Sequence, residues 1–376
     1  MKSPKKTKRN KNMRGARGPD LKNKQHQCAE TVLIVLLPIL LFAGVVALIF
    51  LSNNKQMITL SSDLIDCGEY PQTLVEDPNL LKNLNKMELN WTYFDDCFVG
   101  NGNYGSMHKT NAMKYADVDL NGQKYRAVLI EHFRSQTTLD EASSESSWQD
   151  INGFRLNQTY WFRFEPIKWE VIDPQKRLLL TEKVLDAMPF NKNLFWIDRN
   201  FDRIQNWETE YSISKYIQIP CNMYLSSFIR KWLNSAFIDV AFSKNEKRTI
   251  KRIFHRADES DENKRYGILS LTYDRAFLLS GKEVSSCFSN RNCFSAPTDY
   301  AKCRGVWVCS DNNSETTWWW LRSPGEFSGD VVSVCASYDF YNADRQFFSS
   351  YSLGGVRAAI CLKNSTYDFD ANEVEK

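Results

Sequence analysis

The residues of this chain best placed to do chemistry are its cysteines and a late cluster of tryptophan and arginine. Ten cysteines occur among 376 residues. Cys287 and Cys293, like Cys303 and Cys309, leave five residues between them. That is wider than the two-to-four spacing of a zinc knuckle, and histidine is nearly absent nearby, so local disulfides rather than a metal site are expected. Cys335 and Cys361 sit in two late apolar runs and form a further candidate strand-to-strand bridge. Trp318, Trp319, Trp320, Arg322 and Ser323 fall within WWWLRSPG, and Arg357 within GGVRAAICL. A guanidinium does not lose its proton, so an arginine in an apolar strand needs an acid or a carbonyl as partner. Glu165 is the acid nominated for Arg322 or Arg357, which makes the group a binding motif or a structural ion network.

Catalytic strings are thin. The sequence contains no G-x-S-x-G, no H-E-x-x-H and no P-loop string. GNGNYG at 100–105 satisfies G-x-G-x-x-G on paper, but no helix start follows it, and turn glycines account for it. His108, His132 and His255 stand in unrelated polar contexts, so no histidine has a visible partner for general acid or base work. The sequence therefore points to no catalytic residue, no metal and no cofactor.

The elements that must position these residues are a mixture of strands and helices without βαβα alternation, the pattern of an α+β fold with mostly antiparallel sheets. In YWFRFEPIKWEVI, Ile167, Trp169 and Val171 alternate with Lys168, Glu170 and Ile172, which predicts a half-buried strand, and RLLLT at 177–181 pairs with it. Leu225, Phe228, Ile229, Trp232, Leu233, Ala236 and Phe237 recur at helical spacing and predict an amphipathic helix whose stripe packs into the core. Ser243 and Glu246 fit a capping box, with a second helix through Ile250 and Ile253. A strand is expected at 276–280, and three late strands at 318–325, 330–336 and 354–362. In the last, Val356, Ala358, Ile360 and Leu362 share one face and Arg357 takes the other.

Residues 31–52, TVLIVLLPILLFAGVVALIFLS, carry no charge. At about 1.5 Å per helical residue they match a hydrocarbon core of about 30 Å. The run is long for a cleaved signal and no cysteine closes it as in a lipoprotein, while Pro38 is a tolerated kink. Residues 1–30 carry ten Lys/Arg against Asp20 and Glu30, a net of +8, so with +3 for the whole chain the remainder carries −5. Basic residues flanking a span stay in the cytoplasm. This leader lacks the interleaved aromatics of a nucleic-acid binder and reads as topology signal and lipid contact. The expected organisation is a basic cytoplasmic segment at 1–30, one transmembrane helix at 31–52, a stalk at 53–66, an extracellular body at 67–363 and an acidic tail at 364–376. Nine cysteines lie outside, an odd number, so disulfides with one thiol left over are expected there.

The order YWFRFEPIKWEVI, LLLTEKVLDAMPFN, SSFIRKWLNSAF, AFSKNE, AFLLSGKEV, WWWLRSPG and GGVRAAICL resembles the bacterial domain family DUF6273, over residues 67–363. The family brings no established activity. Ala358 stands where the usual GVRPA ending has proline. A late Trp-rich strand followed by a GVR strand is also similar to the ends of C-type-lectin-like modules and formylglycine-generating enzymes. That resemblance implies a lectin-like body with residues 281–317 and 337–353 as surface loops, or a reactive cysteine pair at Cys335 and Cys361. The expected function is a membrane-anchored, externally exposed binding module for a protein or glycan. An extracellular enzyme with an unrecognised site and a structural envelope protein are the alternatives. The expected partners are membrane lipid along one span and that extracellular ligand, with no nucleic acid.

Overall fold

In a computed structural model the described residues are 64–96, 112–137, 147–191, 195–198, 204–206, 216–218, 222–256, 271–289, 293–311, 314–326, 329–334, 345–348, 351 and 353–363. All belong to one compact unit running from Leu60 to Lys376. The expected span at 31–52, its basic leader, residues 53–63 of the stalk, the acidic tail, GNGNYG, His108, Cys97, Cys221 and Cys335 lie outside them. No helix among the described residues is long and apolar enough to cross a membrane.

The unit opens with strand β1 (Leu64–Leu74), already part of the sheet over the last three residues expected as stalk, and helix α1 (Pro78–Leu84). Asp77 caps α1 by accepting from Asn79 N, and proline at the first turn forfeits an N–H that has no helical partner anyway. Strand β2 (Thr92–Tyr93) pairs with β3 (Met113–Leu120), which turns through Asn121-Gly122 into β4 (Gln123–Ile130). Asn121 and Gly122 both take positive φ, 56° and 81°, as a two-residue hairpin turn requires. After the short helix α2 (Trp148–Ile151) comes the long strand β5 (Thr159–Asp173), with Phe164, Ile167 and Trp169 buried and Arg163 and Lys168 exposed. One edge of β5 pairs with β1, from Leu64 opposite Glu170 to Leu74 opposite Phe162. The other edge is shared: β4 takes residues 159–163 and strand β6 (Leu178–Thr181) takes 169–173. Pro166, which cannot donate, falls in the gap between them, where no ladder bond on that edge is lost.

Strand β7 (Asp186–Ala187) follows, then a three-stranded sheet of β8 (Phe195–Asp198), β9 (Ile204–Asn206) and β10 (Tyr216–Gln218). The predicted amphipathic helix forms from Phe228 onward as a continuous run, α3 (Phe228–Trp232), a π-helical turn at Leu233–Phe237, and α4 (Ile238–Ala241), while Leu225, expected in the same stripe, lies before it in a 3-10 turn (Tyr224–Ser226). The Ser243–Glu246 capping box is present at the start of α5 (Lys244–Thr249). That helix stops short of the predicted end. Ile250 is fully buried in β11 (Ile250–Lys251), and β12 (Ile253–Arg256) follows. The β-branched Ile250 gains a strand partner in Leu362, which outweighs continuing the helix.

Strands β13 (Leu271–Asp274) and β14 (Ala276–Phe277) lead to α6 (Gly281–Cys287). The strand expected through Ser280 ends at Phe277, because Ser280 caps α6 in a second capping box with Glu283. Helix α7 (Asp299–Cys303), with Tyr300, Ala301 and Cys303 buried, is core, so 281–317 is not the surface loop that a lectin-like body implied. The chain closes through β15 (Cys309–Asp311), β16 (Ser314–Thr316), β17 (Trp319–Pro324), β18 (Asp330–Val334), β19 (Arg345–Phe348), β20 (Gly355–Val356) and β21 (Ala359–Leu362). The predicted last strand is thus two pieces in two sheets. A nine-stranded sheet runs β11-β21-β6-β5-β4-β3-β2, with β1 added on β5 and β14 on β21. A five-stranded sheet runs β19-β18-β17-β20-β7. Among the described strands pairing is antiparallel except β17 with β20, so the fold is α+β and mostly antiparallel.

Among the described residues there is no disulfide. Cys287, Cys293, Cys303, Cys309 and Cys361 carry thiols, which corrects the bridges expected for Cys287/Cys293 and Cys303/Cys309. Cys303 faces the core from α7 while Cys309 is committed to a hairpin strand, and Cys361 lies in the nine-stranded sheet while the run leading to Cys335 belongs to the other. Burial lifts the Cys361 thiol to about 12.

Candidate binding cleft

The late tryptophan cluster is core. Trp318, Trp319 and Trp320 are buried, and the indole N–H of Trp320 donates to Met188 O at 2.9 Å and that of Trp319 to Cys293 O at 3.3 Å. This burial explains the paired glycines of GGVR. A Cβ on Gly354 would land in the indole of Trp320, and one on Gly355 would lie 2.6 Å from Trp318 O. Both arginines have partners, as expected, but not Glu165. Arg322 Nη1 and Nη2 donate to Glu283 at 2.5 and 3.0 Å, and Arg357 Nη2 donates to Glu170 at 2.5 Å and its Nε to Thr181 O at 2.6 Å. Burial raises the Glu283 carboxyl, but the hydrogen bonds and charge of Arg322 outweigh it and hold the group below its usual range. Glu165 accepts from Thr73 Oγ1 instead, at 2.8 Å. At about 3.3 Å per strand residue, Glu165 and Glu170 stand about 16 Å apart along β5. Only Glu170 lies level with Leu180 and, one strand further, Ala359, beside Arg357. Ser323 Oγ accepts from Gly281 N at 3.0 Å.

None of those seven residues lines a cleft that the described residues form, a cavity of about 620 Å³. Its floor is a buried ion network assembled from distant elements. Asp186, from β7, accepts from Tyr70 Oη on β1 at 2.8 Å, from Arg304 Nε at 2.8 Å and from Ala187 N at 2.7 Å. Arg304, the C-cap of α7, also donates to Asp96 at 2.6 Å, and its guanidinium lies 3.9 Å from the ring centre of Phe94. Arg134 donates to Asp96 at 3.2 Å, to Ala187 O at 2.8 Å and to Arg304 O at 2.6 Å. Arg126, on β4, holds Asp117 with two bonds of 2.7 Å and donates to Tyr300 Oη at 3.2 Å. Such forked pairs are the strong form of arginine recognition.

The side chains of Arg126, Arg134, Arg304, Asp96 and Asp186 are each exposed by 4 % or less. Burying so much charge is tolerable only because three guanidiniums meet three carboxylates, the buried Asp96 and Asp186 and the exposed Asp117. Burial, reinforced by Asp186, pushes the Tyr70 hydroxyl well above its usual range. Burial likewise raises Tyr300 against the opposing pull of Arg126, so both phenols keep their protons. The walls are aromatic: Tyr93, Phe94, Tyr115, Phe228 and Trp232. The helical run supplies two of them, Phe228 and Trp232. Ile229, Leu233 and Phe237 are buried as predicted, but Phe228 and Trp232 are only half-buried and Ala236 is exposed, so one side of the predicted core stripe is cleft wall. The same run carries the π turn at Leu233–Phe237, a local widening frequent at functional sites.

Sequence reasoning missed this floor, although its own rule applies. A charge inside an apolar run flagged Arg322 and Arg357, and the same signal is present at Asp186 in VLDAMPF and Arg126 in YRAVLI. Asp96 and Arg304 carry no such mark, being next to turns. Among the described residues lining the cleft there is no cysteine or histidine, its two serines, Ser226 and Ser235, donate to the carbonyls of Met223 and Lys231, and its buried carboxylates are held by arginine. It can bind and orient.

Residues 176–364, half of the chain, match the sequence profile of a domain of unknown function, DUF6273. The chain belongs to the DUF6273 family. The matched segment begins after β5, so FEPIKW, one of the strings carrying the resemblance, lies upstream of it. No curated protein and no solved structure matches, so the lectin-like likeness gains no support. The DUF6273 segment supplies Asp186, Trp232, Tyr300 and Arg304 to the cleft, while Tyr70, Asp96 and Arg126 come from before it.

Proposed function

We propose that this DUF6273 protein is a recognition module tethered to the membrane by residues 31–52, with its folded body outside the cell and its ligand held in the cleft. The supporting observation is the cleft: aromatic walls over a buried polar floor whose charged groups already have partners. Ligand sites of about 300–1,000 Å³ are usually of this kind, mostly apolar with a few fixed polar groups. The catalytic alternative is not favoured by a floor in which each buried carboxylate is held by arginine. The topology rests on the uncharged run and the basic leader of the sequence.

Two measurements test the reading. Protease treatment of intact cells should remove the bulk of the chain and leave a fragment containing residues 1–52; protection of the bulk until the cells are permeabilised would place the body inside. Full-length protein in lipid nanodiscs, applied to glycan and peptide arrays with and without divalent cations, should bind in a manner lost on Trp232→Ala. A complete blank, or binding indifferent to Trp232→Ala, would rule out the cleft as a ligand site.

A further inference from the structure

Resting on the reading of the cleft as a ligand site, we propose that its ligand is a neutral saccharide, with a sugar ring laid against the aromatic wall and its hydroxyls meeting the polar floor. Charge decides against an ionic ligand. The lining carries Arg126, Arg304 and Lys231 against Asp95, Asp96 and Asp186, which balance, and behind it Arg134 and Asp117 balance again. A phosphate or carboxylate would meet arginines already held by aspartates and would have to displace a buried partner to reach them. A cation would meet the same neutral surface.

An apolar ligand fails for a different reason, because it would seal the remaining polar capacity of the floor under hydrocarbon. That capacity is specific. Tyr300 Oη accepts from Arg126 while its own proton has no acceptor among the described residues, and the indole N–H of Trp232 has none either. Both residues line the cleft, Trp232 half-buried in its wall and Tyr300 fully buried at its floor, and burial keeps the Tyr300 proton in place. A pyranose offers what these groups lack: acceptor oxygens around its edge, and a flat C–H face for Trp232, Tyr93 or Tyr115. The cavity of about 620 Å³ leaves room for more than one ring.

The test uses full-length protein in nanodiscs on one array carrying neutral glycans (glucose, galactose, mannose and N-acetylglucosamine oligomers), sialylated and sulfated glycans, and peptides. The expected result is binding of a neutral glycan, weakened about tenfold or more by Trp232→Ala, as for a central contact residue. Tyr300→Phe, which keeps the Arg126–Asp117 pair, should weaken it too, with both variants showing cooperative unfolding like the parent. Raising salt from about 0.1 to about 1 M, which shortens the screening length from about 10 to about 3 Å, should change affinity less than about twofold. Binding confined to anionic glycans with a steep salt dependence, or confined to peptides, while still sensitive to Trp232→Ala, would overturn the saccharide and leave the cleft a ligand site. Binding of no probe in a Trp232-dependent way would overturn both.

Discussion

Asp186→Asn removes one charge from the cleft floor and almost nothing else. The amide can turn its oxygen to Arg304 Nε and its nitrogen to Tyr70 Oη, whose hydroxyl can accept as readily as donate. The hydrogen bonds survive, but Arg134 and Arg304 then face Asp96 alone, leaving one uncompensated positive charge where no side chain is exposed by more than 4 %. Removing one partner of a buried pair costs about 3–5 kcal/mol. Domains of about 150–250 residues lose about 2–4 °C of Tm per kcal/mol, so a fall of about 6–20 °C is expected in thermal unfolding. The control is Asp150→Asn, whose partner Arg155 is 61 % exposed, and it should cost less than about 1 kcal/mol. Asp186→Asn with Arg304→Met leaves Arg134 and Asp96 balanced, so the double variant should lose less than the sum of the two singles, by about 0.5–3 kcal/mol. If Asp186→Asn costs no more than the surface control, or the pair is additive, the floor is not the closed charge network described.

Burial, followed by the positive charge of Arg322, lowers His255 from 6.5 to about 3. Between these values the unfolded chain binds a proton that the folded one refuses, so stability falls as pH falls, by about 1.4 kcal/mol per unit. Lowering pH from 6.5 to 5 should therefore cost about 2 kcal/mol more in the parent than in His255→Gln, read from urea midpoints. Gly354→Ala drives a methyl group into Trp320 and should cost about 1–3 kcal/mol in the same assay, with part restored by Trp320→Phe. Glu283→Gln should cost about 1.5–3 kcal/mol by weakening its hold on Arg322, whereas Glu165→Gln should leave stability within about 0.5 kcal/mol. Burial raises the thiols of Cys67 and Cys361 to about 12, so both should resist iodoacetamide at pH 8 in the native protein. Non-reducing peptide mapping should find no Cys287–Cys293 or Cys303–Cys309 linkage.

The parts of this fold that were legible in sequence are those fixed by neighbours in the chain. Alternation located β5 and β17, a serine–glutamate spacing located the start of α5, and the acid-partner rule foresaw that Arg322 and Arg357 would be neutralised. What failed depended on register. Glu165 and Glu170 both look like suitable acids on β5, and only the alignment of β5, β6 and β21 selects Glu170. Ile250 and Ile253 satisfy helical spacing as well as they satisfy a strand, and pairing with Leu362 decides. Cysteine spacing suggested bridges because separation along the chain says nothing about which way each thiol faces.

The cleft was invisible for the same reason, carried further. Three links between its lining side chains, Tyr70 to Asp186, Asp96 to Arg304 and Arg126 to Tyr300, join residues 116, 208 and 174 positions apart. Each also joins the segment upstream of residue 176 to the DUF6273 segment. The family-specific half thus contributes Asp186, Arg304 and Tyr300, in which Asp186 and Arg304 already pair, and the upstream segment completes the hydrogen bonding of that floor by delivering Tyr70, Asp96 and Arg126. Buried charge makes the dependence mutual, since Arg304 without Asp96 and Asp96 without Arg304 are both costly. On the proposed reading of the cleft, ligand choice would follow from this seam, and an upstream segment carrying different residues at the positions of Asp96 and Arg126 would change the charge of the cleft without touching the family's own motifs.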